Sequence, residues 1–283
     1  MKVTELAPAK LNLTLEVGEE RTDGYHEVQS VMSCAGLYDE IELESGTGGG
    51  ITMTCDCESL PCDESNLCIR AAKLFFAKTG VSCDGLHISL KKRIPMEAGL
   101  GGGSADAAAV LRGLRKLYCP DMMIKELERM AIDLGSDVPF CVRSVTAMVR
   151  GKGEQLLKLP KLPLCWFVLC KPDFSLSTAE MYARLDEVKP VAALDTLGLT
   201  KALEYQDMLE ISDRLGNQFE AVLEKDSEIF AIKDKLLALG ARNACMSGSG
   251  SAVYGLFTEE ETAKAAEEEL KKVYPQTWFA ERV

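Results

Sequence analysis

The sequence predicts an α+β fold in two domains, and three observations carry that reading. The chain has 283 residues, more than one small module needs. The stretch Leu159-Pro160-Lys161-Leu162-Pro163 suits neither a helix nor a strand and reads as a linker, so the domains are expected at 1–158 and 159–283. Beyond the linker, with the middle helices left out, the elements read β-α-β-β-α-β, the ferredoxin-like order.

The first strand is legible by alternation. Leu11, Leu13, Leu15 and Val17 share one face, while Lys10, Asn12, Thr14 and Glu16 share the other. A polar turn at 18–24 follows, then mixed apolar residues through Ile41 and Leu43. Residues 45–50, Ser-Gly-Thr-Gly-Gly-Gly, read as a loop before a short strand at 51–55. Asn66 is placed to cap a helix that runs to Thr79 and stops at Gly80. Residues 86–94 alternate as a strand and end at Pro95. A glycine loop then leads into a helix over 104–118, Asp121 is expected to cap a helix to Leu134, and 145–149 reads as a strand. After the linker come a strand at 164–170 and a capping box in Ser177-Thr178-Ala179-Glu180. Two helical stretches then reach Gly240, with strands near 243–246 and 252–257, a helix from Glu259 and a strand from Thr277.

Composition excludes several classes. Hydrophobic residues at 47% and charged residues at 27% are those of a soluble globular chain, neither disordered nor fibrous. A net charge of −12 argues against general nucleic-acid binding or a membrane-surface role, since phosphate-backbone affinity rests on dense Lys and Arg. The longest apolar run, 164–170, is far too short to span a bilayer, and no apolar signal segment follows Met1. Eleven cysteines at irregular spacing read as reduced thiols in a cytoplasm. Cys55, Cys57, Cys62 and Cys68 do not match zinc-site spacing.

The chemistry concentrates in Pro95-Met96-Glu97-Ala98-Gly99-Leu100-Gly101-Gly102-Gly103-Ser104-Ala105, followed by Asp106 and three alanines. A strand feeds a loop with four glycines in five positions, and the loop feeds a helix N-terminus. Free N–H groups and the positive helix end converge there, which makes a phosphate site. The loop is not a Walker A sequence, because no Lys follows the glycines. It is not a Rossmann fingerprint either, because Ser104 stands where a third glycine belongs. A second glycine segment, Met246-Ser247-Gly248-Ser249-Gly250-Ser251, is a hairpin turn or a loop that approaches a ligand. Asp137, before Val138-Pro139-Phe140, reads as a helix cap or as a functional carboxylate, and Lys10 as a solvated or a functional lysine. His87 reads as an ordinary strand residue. With only His26 and His87 in the chain and no nucleophile elbow, a Ser-His-Asp hydrolase has little support.

Taken together these residues resemble the GHMP small-molecule kinases over nearly the whole chain. The resemblance rests on Ala7-Pro8-Ala9-Lys10-Leu11-Asn12-Leu13, on Arg21-Thr22-Asp23-Gly24-Tyr25-His26, on Asn66-Leu67, and on the loop from Pro95 to Ala109. It continues in Gly135-Ser136-Asp137-Val138-Pro139-Phe140, Gly151-Lys152-Gly153-Glu154 and the second glycine segment. It implies an N-terminal domain like domain 2 of ribosomal protein S5 and a ferredoxin-like C-terminal domain. It further implies ATP-dependent phosphorylation of a small molecule, CDP-methylerythritol, at a hydroxyl of its methylerythritol part. Lys10 and Asp137 would be catalytic. Residues 95–105 would bind the ATP phosphates, with Asn66 and Leu67 nearer the nucleoside. Tyr25, His26 and Tyr182 would hold the cytosine, and Asn12 would contact the methylerythritol part. Magnesium would be held mainly through the ATP phosphates, with no protein ligand assigned. Two positions depart from the family pattern: Glu97 stands where a small residue is usual and is expected to turn outward, and Met32 replaces an aromatic residue of the cytidine pocket. Tyr25-His26 speaks against a mevalonate or homoserine kinase, and Lys10 with Asp137 against a non-catalytic binding module. Both a monomer and a homodimer remain open.

Overall fold

The computed structural model describes residues 1–46 and 48–283, so Thr47, in the loop expected at 45–50, lies outside the described residues. In chain order the first elements are β1 (Lys2–Glu20), β2 (His26–Ser45), β3 (Ile51–Cys55), α1 (Leu67–Thr79) and β4 (Leu86–Lys91). Next come α2 (Gly102–Tyr118), α3 (Ile124–Ala131), α4 (Val138–Arg143), β5 (Ala147–Gly151), β6 (Gln155–Lys158) and β7 (Trp166–Cys170). The remainder is α5 (Thr178–Val188), α6 (Thr196–Glu204), α7 (Met208–Asp213), β8 (Gly216–Asn217), α8 (Glu228–Ala238), β9 (Asn243–Met246), β10 (Val253–Phe257), α9 (Glu260–Lys271) and β11 (Thr277–Glu281). A 3-10 turn at Gln218–Val222 sits between β8 and α8.

Local signals explain many of these boundaries. The Asn66 carboxamide oxygen accepts from the Cys68 amide at 2.8 Å and starts α1. Ser177 accepts from the Glu180 amide at 3.4 Å, Asp195 from Gly198 at 2.9 Å and Asp207 from Leu209 and Glu210 at 3.1 Å each, starting α5, α6 and α7. Asp121 does not cap a helix, contrary to expectation. The start of α3 is closed from within, where the Glu126 carboxylate accepts from the Met123 amide at 2.9 Å. The residues before it are held in a turn by Arg115, which donates to the Met122 and Pro120 carbonyls. Helix α3 ends at Ala131 because the next residues close short turns, Asp133 to Met130 and Leu134 to Ala131.

The chain divides into two compact units, neither of them one continuous stretch. The first is Met1–Ala9, Tyr38–Ile94 and Gly101–Ser144; the second is Lys10–Leu37, Pro95–Leu100 and Val145–Val283. This division does not run through the proline-rich segment at 159–163, which lies wholly inside the second unit, because β1 and β2 are long enough to belong to both.

In the first unit the strands lie in the order β3-β4-β2-β1. Strand β4 pairs in parallel with β3 and antiparallel with β2, matching Leu43 with Ile88 and Ile41 with Leu90. Helices α1 and α2 pack together, and Ala105, Ala107, Ala108 and Ala109 are fully buried, so the alanine run lets α2 approach its neighbours closely. Arg112 on α2 donates to the Cys141 carbonyl of α4 at 2.7 Å, to Leu6 at 2.7 Å and to buried Glu5 at 3.1 Å. Beneath this layer Lys92 Nζ reaches Asp39 at 2.5 Å and Asp106 at 2.9 Å. Asp39 also accepts from the Arg93 and Ile94 amides, whereas Asp106 Oδ1 is buried with no hydrogen-bond partner. Burial alone would lower the Lys92 ammonium, but Asp106 and Asp39 outweigh it and hold the group above its ordinary value. Burial, reinforced by the Asp39 charge and opposed by Lys92, pushes the Asp106 carboxyl up to about 8.

In the second unit one sheet runs β6-β5-β2-β1-β8, and a separate antiparallel sheet runs β11-β7-β10-β9. In the latter the first strand in sequence lies between the fourth and the third, the order of a ferredoxin-like domain. Its core joins Val168, Met181, Leu185, Phe219, Ile232, Leu236 and Leu270, with α8 and α9 packed on the sheet. The alternation in β1 is real, but both of its faces are covered. Lys10, Asn12 and Thr14 are as buried as Leu11, Leu13 and Leu15.

The Asp106 proton makes a test of the first unit. The folded state retains that proton up to about pH 8, whereas an unfolded aspartate releases it near pH 4. The stability it contributes is therefore complete below about pH 4 and is lost progressively as the pH rises toward 8. Asp106→Asn keeps the shape and removes the titration, so its melting temperature should gain on the wild type between pH 5 and pH 8, by about 2–4 °C per kcal/mol recovered. Melting curves at three pH values check this; a pH-independent offset between the two proteins would refute it.

Candidate active site

In the second unit the polar face of β1 builds a fixed chain of hydrogen bonds. Lys10 Nζ donates to Asn12 Oδ1 at 2.6 Å, Asn12 Nδ2 donates to Ser30 Oγ at 2.9 Å, and Ser30 Oγ donates to the Thr14 carbonyl at 2.5 Å. Every link has one sense only, because an ammonium cannot accept and the carbonyl cannot donate, so the Asn12 amide orientation is determined. Lys10 is 4% exposed. The Tyr254 hydroxyl donates to the Asn12 carbonyl at 2.8 Å, bracing the strand from β10.

The same strand holds the first half of the glycine loop, through the Lys10 amide and the Leu100 carbonyl at 2.9 Å. The second glycine segment is indeed the β9–β10 hairpin, and its tip packs on that loop. Ser247 Oγ donates to the Gly99 carbonyl at 3.0 Å, and the Ala252 amide donates to the Ala98 carbonyl at 3.0 Å. A side chain at Gly99, whose φ is +73°, would place its Cβ 2.0 Å from the Ser247 carbonyl oxygen. One at Gly248 would come within 2.9 Å of both the Gly99 carbonyl oxygen and Lys10 Nζ. Asn217 holds the hairpin from below, donating to the Met246 carbonyl at 2.8 Å and the Gly248 carbonyl at 2.7 Å. Sequence reasoning missed Asn217, Ser247 and Tyr254 as supports. Asn217 carried only the signal of a cap, which it also is, accepting from the Phe219 amide at 3.0 Å. Glu97 sits at φ +53° and is exposed, so its carboxylate faces outward as expected. Met32 is buried.

Also in the second unit, His26 at the start of β2 stacks on Tyr182 of α5, with centroids 4.7 Å apart and planes at 25°. Tyr182 in turn meets Phe219 edge-on at 4.9 Å. His26 and Tyr182 occupy each other's faces, so a base is not sandwiched between those two rings. Tyr25 is half exposed, with Lys152 Nζ 4.6 Å from its centroid.

The first unit holds the other half of the predicted site. Asn66 is committed at both ends of its carboxamide, accepting from Cys68 and donating to the Pro61 carbonyl at 2.7 Å. Leu67 opens α1, and a Cβ on Gly103 would lie 3.6 Å from Leu67 Cδ1, ordinary contact. Helix α2 begins at Gly102 without a side-chain cap, and its first helical bond is from Ala105 to Gly101. The amides of Gly102, Gly103 and Ser104 therefore have no intrahelical acceptor and carry the positive end of a 17-residue helix. Asp137 sits at the start of α4 with helical backbone angles, and its side chain makes no capping bond, so capping by the carboxylate does not account for it. Among the described residues no group of three or more His, Cys, Asp or Glu side chains is arranged to hold a metal. No helix of the described residues is long and apolar enough to cross a membrane.

Known proteins carry the same architecture. Residues 66–144 match the GHMP kinase N-terminal domain and residues 199–276 the GHMP kinase C-terminal domain, which defines the class. The 4-diphosphocytidyl-2-C-methyl-D-erythritol kinase of Macrococcus caseolyticus is 41% identical over 270 residues, 95% of each chain. That of Syntrophomonas wolfei is 42% identical over 274 residues, 96% of this chain and 95% of the relative. A crystal structure of a 4-(cytidine 5'-diphospho)-2C-methyl-D-erythritol kinase superposes with a TM-score of 0.83 at 33% identity, covering 99% of both chains. The chain belongs to the GHMP kinases, in the family of the 4-diphosphocytidyl-2-C-methyl-D-erythritol kinases.

The contact between the glycine loop and the hairpin predicts a graded response. Gly99→Ala must open the 2.0 Å clash with Ser247 and hold alanine at positive φ, whereas a Cβ at Gly135 meets only Val138 Cγ2 at 3.5 Å. Gly99→Ala should lose about 1–3 kcal/mol of stability and Gly135→Ala no more than about 1 kcal/mol. Urea denaturation midpoints of the two variants decide; equal losses would show that the contact does not matter.

Proposed function

We propose that the chain transfers the γ-phosphoryl group of ATP to the 2-hydroxyl of 4-diphosphocytidyl-2-C-methyl-D-erythritol, in the cytoplasm, as a step of non-mevalonate isoprenoid precursor synthesis. The observation that carries this reading is the buried Lys10–Asn12–Ser30 chain on the strand that also anchors the glycine loop, in a protein whose relatives at 41–42% identity bear that kinase name. The functional division follows the sequence: 1–158 supplies the phosphate loop and the catalytic residues, and 159–283 the ferredoxin-like part.

Phosphoryl transfer asks little covalent work of a protein; positioning and charge stabilisation dominate. The substrate oxygen bonds to the γ-phosphorus as the bond from that phosphorus to the β–γ bridging oxygen breaks, and ADP leaves. Asp137 takes the proton of the attacking hydroxyl, or orients it, as the new bond forms. Lys10 neutralises charge on the transferring phosphoryl group. The backbone amides of residues 95–105 hold the phosphates, and Asn66 and Leu67 lie toward the nucleoside. With its carboxamide committed to capping, Asn66 contributes shape rather than base reading. Asn12, its orientation set by Lys10 and Ser30, contacts the methylerythritol part. Tyr25, His26 and Tyr182 form the cytosine end, with half-exposed Tyr25 as the cover and the His26–Tyr182 stack as the wall. Magnesium would supply charge neutralisation on the phosphates. It would be held mainly through the oxygens of ATP.

A coupled ADP-release assay with CDP-methylerythritol tests the assignment. Wild-type protein should release ADP only when both substrates are present, and its failure to do so would remove the assignment. Asp137→Ala should lower kcat about 10²–10⁴-fold with the fold and ATP binding retained. Full activity in that variant would remove the mechanism and leave the assignment standing.

A further inference from the structure

We propose that Asp186 is a specificity-determining positioning residue, which sets the hydrogen-bonding edge that His26 offers to the base and so selects cytosine over uracil. The inference rests on the reading that His26 meets the base. Both Asp186 carboxylate oxygens lie within reach of His26 Nε2, at 2.9 and 3.1 Å. An ionised carboxylate only accepts, so Nε2 carries the hydrogen. Lys189 Nζ, 2.9 Å from Asp186 Oδ1, reinforces this: its hydrogen bond, followed by that of His26, holds the Asp186 carboxyl below the usual range. In the neutral ring Nδ1 is then a bare acceptor.

The ring cannot readily turn to offer anything else. One face is stacked on Tyr182, which is wedged against Phe219, and the His26 side chain is 9% exposed. Lys189, the residue that ends α5, also donates to the Gly18 carbonyl at 2.5 Å. That bond ties the last turn of α5 to the end of β1, just before the turn that carries Tyr25, where the Arg21 amide meets the Tyr25 carbonyl at 2.6 Å. Asp186 is thus held between a helix end and the β1–β2 turn and has a fixed geometry to impose. Cytosine presents its exocyclic amine, a donor, next to an acceptor at N3. Uracil presents a carbonyl oxygen and an N–H in the same places. An acceptor at Nδ1 pairs with the amine of cytosine and faces a lone pair of uracil, which leaves polar atoms unpaired.

The test uses full-length protein with CDP-methylerythritol and its UDP counterpart. In Asp186→Ala the KM for CDP-methylerythritol should rise about 10-fold with the loss confined to KM, and the preference for the cytidine substrate should fall by at least about 10-fold. Asp186→Asn, which keeps the volume but can donate as well as accept, should relax the preference in the same direction and serves if the alanine variant misfolds. The chain has only two histidines, so ¹⁵N spectra assign both rings directly, with His87 as an internal control. His26 should be protonated at Nε2 in the wild type and a mixture of tautomers in Asp186→Asn. Unchanged substrate preference in the variants, or a wild-type His26 that carries hydrogen on Nδ1, as the Nδ1 tautomer or the imidazolium, would overturn the inference while wild-type turnover of CDP-methylerythritol leaves the assigned activity intact. Absence of that turnover would instead sink the activity on which the inference rests.

Discussion

Hydrogen bonds to the backbone carbonyls of the glycine loop and the β9–β10 hairpin hold the second unit's part of the site together. The Lys10 amide binds the Leu100 carbonyl, Ser247 and Ala252 bind the Gly99 and Ala98 carbonyls, and Asn217 fixes the hairpin from beneath. Glycine at 99 and 248 is what allows main chain to meet main chain at these distances. An added carbon at either position would push the loop and the hairpin apart. The lysine and the loop are thereby positioned by a single arrangement, and neither can move without the other.

An acidic chain that handles phosphorylated ligands follows from how its charges are distributed. The net charge of −12 is carried largely on solvated surfaces, as on α9, where Lys264, Lys271 and Lys272 pair with neighbouring glutamates. Within the first unit, Asp39 and Asp106 beside Lys92 would leave a net negative charge if both were ionised. A proton on Asp106, itself a residue of α2, brings the group to neutrality. Oriented backbone amides at a helix start can hold anions without a basic surface.

What could be read from the sequence had short-range causes. Asn66 with Gly80, the Ser177 cap, and the alternation in β1 are settled by residues a few positions apart and appear where expected, although Glu180 pairs with Arg184 and no bond back to the Ser177 amide completes the predicted box. The ferredoxin-like order survived because its two central strands, β7 and β10, are continuous, largely buried runs. The misses had long-range causes. Asp121 is a good cap in isolation, but Glu126 reaches back from inside α3 and Arg115 holds the preceding turn. Strand β6 is four residues long and largely exposed, and exists because it pairs with β5. The stack of His26 on Tyr182 joins residues 156 positions apart, and no local pattern announces it.

The sequence by itself determined the element types, the glycine loop and the set of residues able to do phosphoryl chemistry, because glycine content, caps and periodicity act over one or two turns of chain. Only the tertiary structure decided that the polar face of β1 is buried rather than solvated, that the Asn66 side chain caps its helix whereas the Asp137 carboxylate makes no capping bond, and that the second glycine segment leans on the first. Those outcomes depend on which distant surfaces cover a strand or a loop, and burial is a property of the packed chain that no local pattern contains.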